Sequence, residues 1–108
     1  MSSDRPVRVV VQHDTVDRDA VRAVTNLLRA LPGARVRLVL HGPAVLASRA
    51  DITELDDLPP GAEVVACRTA LTGRGIDPSD LRPEVELVPS GVAEVVQLQH
   101  DGWSYLRL

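Results

Sequence analysis

Short apolar runs alternate along this chain with a stretch in which apolar residues recur at helical spacing. Val7 to Gln12 and Val36 to Leu40 are β-branched or leucine-rich runs that read as strands. Between them, Asp17 to Leu31 carries the helical period: Val21, Val24, Leu28 and Leu31 share one face, while Arg18, Arg22, Thr25 and Arg29 occupy the other. Asp17 is placed to cap the start of this helix, and Pro32-Gly33 stops it. The succession predicts a βαβ unit with a right-handed crossover and parallel strands.

The alternation continues. Glu63 to Ala66 reads as a third strand, after an acidic stretch (Asp51, Glu54, Asp56, Asp57) and the turn Pro59-Pro60-Gly61, expected to be a solvated loop with a little helix. Val85 to Val88 reads as a fourth strand. Ser90 then caps a helix whose Val92, Val95 and Val96 are expected to face inward and which ends near Gly102. Trp103 to Leu108 is the last strand, with Trp103 and Tyr105 on one side of it. The expected fold is a three-layer α/β/α sandwich around a mainly parallel five-stranded sheet, flavodoxin-like in appearance, forming a single domain over residues 1–108. No internal repeat or low-complexity segment interrupts it.

Composition narrows the chemistry. A chain of 108 residues, 44% of them apolar, can close a modest core. Phe is absent and Trp103 and Tyr105 are the only aromatics, so the core is aliphatic and base stacking is disfavoured. A formal charge of −3 supplies no field for phosphate backbones or anionic membranes, so neither nucleic acid nor membrane is expected as a partner. All 12 basic residues are arginine, which excludes Schiff-base and P-loop lysine chemistry. One cysteine cannot form an internal disulfide, and MSSDRPVRVVVQHD lacks the features of a secretory signal, so a cytoplasmic location is expected. No apolar run approaches the ~18 residues of a membrane span.

In an open parallel sheet, ligands bind beyond the carboxyl ends of the strands. There the sequence places His13 and Asp14, then His41 and Gly42, then Cys67, then Ser90 and Gly91. His100, near the far end of the last helix, is not among them. Cys67 begins the segment CRTALTGRGI, where a strand runs into a short helix. A thiol at a helix N-terminus, with Arg68 or Arg74 adding charge, is favoured as thiolate, the form that attacks sulfur. The alternative is a buried cysteine acting as a small hydrophobe.

His13 and His41 could assist the thiol as base or proton donor, or join Cys67 and Asp14 around a metal. On the residues alone the structural reading is the commoner one, with both histidines bonded to loop backbone. No CxxC or HxxxH pair supports a metal, and residue types without spacing do not establish a Cys-His-Asp triad. The turns HGPAVL and RGI match no phosphate-binding loop, so nucleotide binding is not expected. The acidic residues of 51–57 and 77–86 read as solvated loops.

The landmarks QHDT, Asn26, LVLHGPAV, AEVVACRTAL and VPSGVAEVVQLQHDGWSYL, in this order and spacing, resemble the DsrE/DsrF-like (DsrEFH-like) family, which includes TusD-type subunits of sulfur relay systems. CRTALTGRGI is similar to the active-cysteine segment of TusD-like proteins, with Cys67, Ala70, Leu71, Arg74, Gly75 and Ile76 at matching places. The resemblance implies a persulfide carrier. Cys67 would accept sulfane sulfur from a donor protein and pass it to an acceptor, without a cofactor, in a trimer or hexamer. It is closer to stand-alone members than to relay subunits, and some members keep the fold without transfer activity. The rival function is a non-catalytic oligomeric module binding a small molecule or protein, and a metal site on His13, His41 and Cys67 is the third.

Overall fold

The computed structural model describes residues 6–108. Strand β1 (Arg8–His13) leads to helix α1 (Asp19–Ala30), strand β2 (Arg35–Leu40) and a 3-10 segment (Gly42–Ser48). Strand β3 (Ala62–Cys67) runs straight into helix α2 (Arg68–Gly73), and a short 3-10 turn (Pro78–Asp80) precedes strand β4 (Glu86–Val88). Helix α3 (Gly91–His100) and strand β5 (Ser104–Arg107) complete the order. The five strands form one sheet, β4-β3-β2-β1-β5, with every pairing parallel. The expected α/β sandwich is present, with helices on both faces, although the strand order is not the 2-1-3-4-5 of flavodoxin itself. Three crossovers step the chain from β1 to β4, and α3 then returns it across the sheet to the free side of β1.

Pleating sorts the side chains between two cores. Val9, Val11, Val36, Leu38, Leu40, Val64 and Ala66 pack against α1, the 3-10 segment and α2. Val10, Val39, Val65 and Val88 pack against Val95 and Leu98 of α3, with Trp103 beside them. The first core is the larger, and its Leu38, Leu40 and Leu71 are fully buried, each contributing about 1.5–3 kcal/mol.

Two apolar assignments change. Val92 and Val96 are 63% and 61% exposed, because α3 turns the stripe of Gly91, Val95 and Leu98 to the sheet and leaves these valines about 100° round the helix. Leu31 is exposed because α1 ends at Ala30 and Leu31 has left helical geometry. Asp17 stands one residue before the helix cap at Arg18, yet its Oδ1 accepts from Asp19 N at 2.9 Å. The acidic stretch forms turns rather than helix. Arg18 ties it down by donating to the Thr53 and Asp56 carbonyls, Arg82 ties it through Asp56 Oδ1, and Leu55 is buried in the core.

One helix about 10 Å wide cannot cover five strands spaced at about 4.8 Å. Ion pairs fill part of what α3 leaves open. Arg37, only 12% exposed, reaches Glu63 at 2.8 Å, Glu86 at 2.7 Å and Glu94 at 3.1 Å, joining β2, β3, β4 and α3. Beyond them, Arg8 and Arg35 lie over the Trp103 ring, 5.5 and 5.7 Å from its centroid. No helix among the described residues is long and apolar enough to cross a membrane.

Candidate functional site

The chain leaves β3 towards the α1 and α2 face and leaves the adjacent β4 towards the α3 face. Connections that diverge from neighbouring strands open a crevice at their carboxyl ends, the usual ligand position in such sheets. Cys67 occupies it. It is the last residue of β3, not the first after it, and pairs in register with Val88 of β4. Thr69 Oγ1 donates to the Pro89 carbonyl at 3.0 Å, holding α2 to the β4–α3 connection.

Gly91, the first residue of α3, lies directly against the thiol residue. A Cβ on it would stand 3.1 Å from Cys67 Cβ, 3.4 Å from His41 Cβ and 3.4 Å from Val39 Cγ1. The N-termini of α2 and α3 therefore both adjoin Cys67, and each carries partial positive charge. Ser90 Oγ accepts from Ala93 N at 3.1 Å, so Ser90 caps α3 as its sequence position predicts. Cys67 itself is 7% exposed.

His41 follows β2 and borders the same glycine. Its Nε2 is 2.9 Å from Gln12 Nε2, and the Tyr105 hydroxyl donates to Gln12 Oε1. Burial pushes the His41 pKa below its ordinary value; Asp14 opposes the shift, and Arg107 and His13 add to it. Asp14 is itself held by Arg107 Nη2 at 3.2 Å and lies against Gly42, whose positive φ of 55° suits a residue without a side chain.

His13 belongs elsewhere. It alternates with Val9 and Val11, so its ring goes to the α1 side, 2% exposed, with Nε2 3.4 Å from Asp17 Oδ1 and neither ring nitrogen hydrogen-bonded among the described residues. The strand ends thus divide: His41 lies with Gly91 on the α3 side and His13 on the other, while Cys67 adjoins Gly91 and His41 through its Cβ and packs with the larger core. Among the described residues no three His, Cys, Asp or Glu side chains are grouped to hold a metal ion. That removes the His13, His41 and Cys67 site and, with it, a triad built on His13. Arg68 is exposed next to Cys67, but Arg74 caps the opposite end of α2, about 9 Å along the helix axis, and does not flank the thiol.

Gln12, Tyr105 and Arg107 join this edge although sequence reasoning passed them over. Gln12 had a signal, a lone amide closing the apolar run Val9 to Val11. Tyr105 and Arg107 had none, because only the pairing of β5 with β1 brings them there. Surface grooves of about 360 Å³ (Leu55, Ala62, Glu86) and 640 Å³ (Pro6, Arg35, Gly102) have other linings, away from Cys67.

The fold recurs in solved proteins. MTH1491, a protein of unknown function from Methanobacterium thermoautotrophicum, superposes with a TM-score of 0.86 and 31% identity over 94% of this chain and 99% of its own. The ychN protein from E. coli superposes with a TM-score of 0.70 over the same shares, at 20% identity, a likeness of fold alone. No curated protein matches the chain. The model of the DsrE/DsrF-like family matches residues 9–108, and the chain belongs to that family.

Proposed function

We propose that Cys67 accepts sulfane sulfur as a persulfide and passes it to a cysteine of an acceptor protein. The observation that carries this reading is the place of the chain's only cysteine: the switch-point crevice between β3 and β4, against the side-chain-free Gly91. Family membership supports the sulfur chemistry. The Cys67 thiolate attacks the outer sulfur of a donor persulfide, the new S–S bond forms as the donor's breaks, and the donor thiolate leaves and takes up a proton. An acceptor thiolate then attacks the outer sulfur on Cys67 and releases the Cys67 thiolate.

In this reading residues 1–108 act as one domain, in a homotrimer or homohexamer, in the cytoplasm, where thiols stay reduced. His41 and Arg68 adjoin the thiol, and Asp14, Gly42 and Ser90 shape the strand ends around it. The test is mass spectrometry after incubation with a sulfane donor. Addition of 32 Da units (about one sulfur each) on Cys67, absent from Cys67→Ser, is expected. An unchanged mass favours a non-catalytic oligomeric binding module, for which the low exposure of Cys67 speaks.

A further inference from the structure

We infer that Gln12 and Tyr105 are positioning residues that hold His41 as a neutral ring protonated on Nδ1, making it a hydrogen-bond donor at the Cys67 site and not its base. The inference rests on the reading of Cys67 as the sulfur acceptor. Tyr105 and Gln12 stand on the adjacent strands β5 and β1, and His41 directly follows the next strand, β2, all three towards the α3 face of the sheet. The Tyr105 hydroxyl donates to Gln12 Oε1, which turns the Gln12 amide nitrogen to His41 Nε2 at 2.9 Å. An amide nitrogen only donates, so His41 Nε2 must offer its lone pair, and the single proton of the neutral ring is left on Nδ1.

Protonating the ring would set two N–H groups against each other at that distance unless the amide turned over, and the Tyr105 hydroxyl would then have to accept from the amide nitrogen instead of donating to its oxygen. Asp14, Arg107 and His13 are the charged or titratable groups whose fields reach this ring. With the Nε2 lone pair engaged, His41 is not free to take a proton from the thiol. Nδ1 is the ring nitrogen nearer the His41 Cβ, which borders Gly91 together with Cys67. An N–H there can stabilise a thiolate or a persulfide anion.

Long-range nitrogen–proton correlation spectra of the full chain, labelled with nitrogen-15 near neutral pH, read the tautomer directly. The expected signature is a protonated Nδ1 and an unprotonated Nε2. Gln12→Glu, which replaces the donor by an acceptor, is expected to move the proton to Nε2 and raise the His41 midpoint by about one pH unit or more. Tyr105→Phe, which frees the amide to turn, is expected to give a mixture. Iodoacetamide should alkylate Cys67 about threefold more slowly in His41→Ala and by a smaller factor in Tyr105→Phe, and the double variant should lose no more than His41→Ala, because the two act through one path. Circular dichroism checks that each variant is folded. A wild-type ring protonated on Nε2, a tautomer unmoved by Gln12→Glu, or additive losses in the double variant would overturn the inference. Absence of sulfur loading on a wild-type chain whose His41 carries Nδ1–H would remove the acceptor reading and leave the tautomer standing.

Discussion

Gly91 and Cys67 are packed so closely that no other residue fits at position 91 without displacing its neighbour: a Cβ there would meet the Cys67 Cβ at 3.1 Å. A glycine is ordinarily a poor choice within a helix, by up to about 1 kcal/mol against alanine. Here the contact with Cys67 opposes that preference, and Gly91 is the first residue of α3, where the helical penalty of glycine is small. Gly91→Ala is therefore expected to destabilise the fold by about 1 kcal/mol instead of stabilising it, and to slow alkylation of Cys67. Urea midpoints and iodoacetamide rates check both. A more stable variant with unchanged thiol reactivity would show that the strand ends have slack.

Cys67→Ser is expected to fold, with a stability change within about 1 kcal/mol, and to take up no sulfane sulfur. Its hydroxyl keeps its proton near neutral pH and cannot form the sulfur–sulfur bond. Mass shifts after sulfane treatment check the loss, and thermal unfolding checks the fold.

Arg37→Ala removes one cation from among three carboxylates. Glu63 then keeps only Arg35, and Glu86 and Glu94 lose the cation that joins them across β4 and α3. The expected cost is about 2–3 kcal/mol, below that of a fully buried pair because Glu63 and Glu86 are about half exposed. Urea unfolding measures it, and added salt should narrow the difference between variant and wild type.

Acid should weaken the fold in two stages. His41 has its folded pKa lowered from 6.5 by burial, so the unfolded chain takes up this proton first and stability falls as pH drops below that value. Glu63 has its pKa lowered from 4.5, chiefly by the hydrogen bond from Arg35, so its share is present above that value and is lost as pH falls through the folded pKa. Urea midpoints across this range are expected to show both stages in the wild type and only the lower one in His41→Asn.

Self-association is expected at micromolar concentration, on family grounds and because α3 leaves Val92 and Val96 exposed beside an incompletely covered sheet face. Light scattering that returns the monomer mass would refute it. Trp103 is a weaker argument for assembly than its sequence position suggests, since it packs on the α3 core between Arg8 and Arg35.

Element types were legible because strand-like runs and helical spacing alternate, and the strand ends could be named before their arrangement was known. What could not be read was which face each end residue takes. A strand boundary moved by one position reverses that assignment, and His13 and His41 fall on opposite sides for this reason. The rotation of α3 was equally hidden: Val92, Val95 and Val96 make a plausible inner stripe until Gly91 is seen to require contact with Cys67. Long-range pairing concealed the rest, since Tyr105 meets Gln12 from 93 positions away.

The return of α3 across the sheet also bears on how the molecule is made. During synthesis β1 can pair with β2 early, but its other flank stays open until residues 104–107 emerge and dock. Until then a strand of three consecutive valines, Val9 to Val11, presents unpaired backbone to any neighbouring chain. Contacts of such sequence separation form slowly, so aggregation during expression should be most acute for variants that weaken β5.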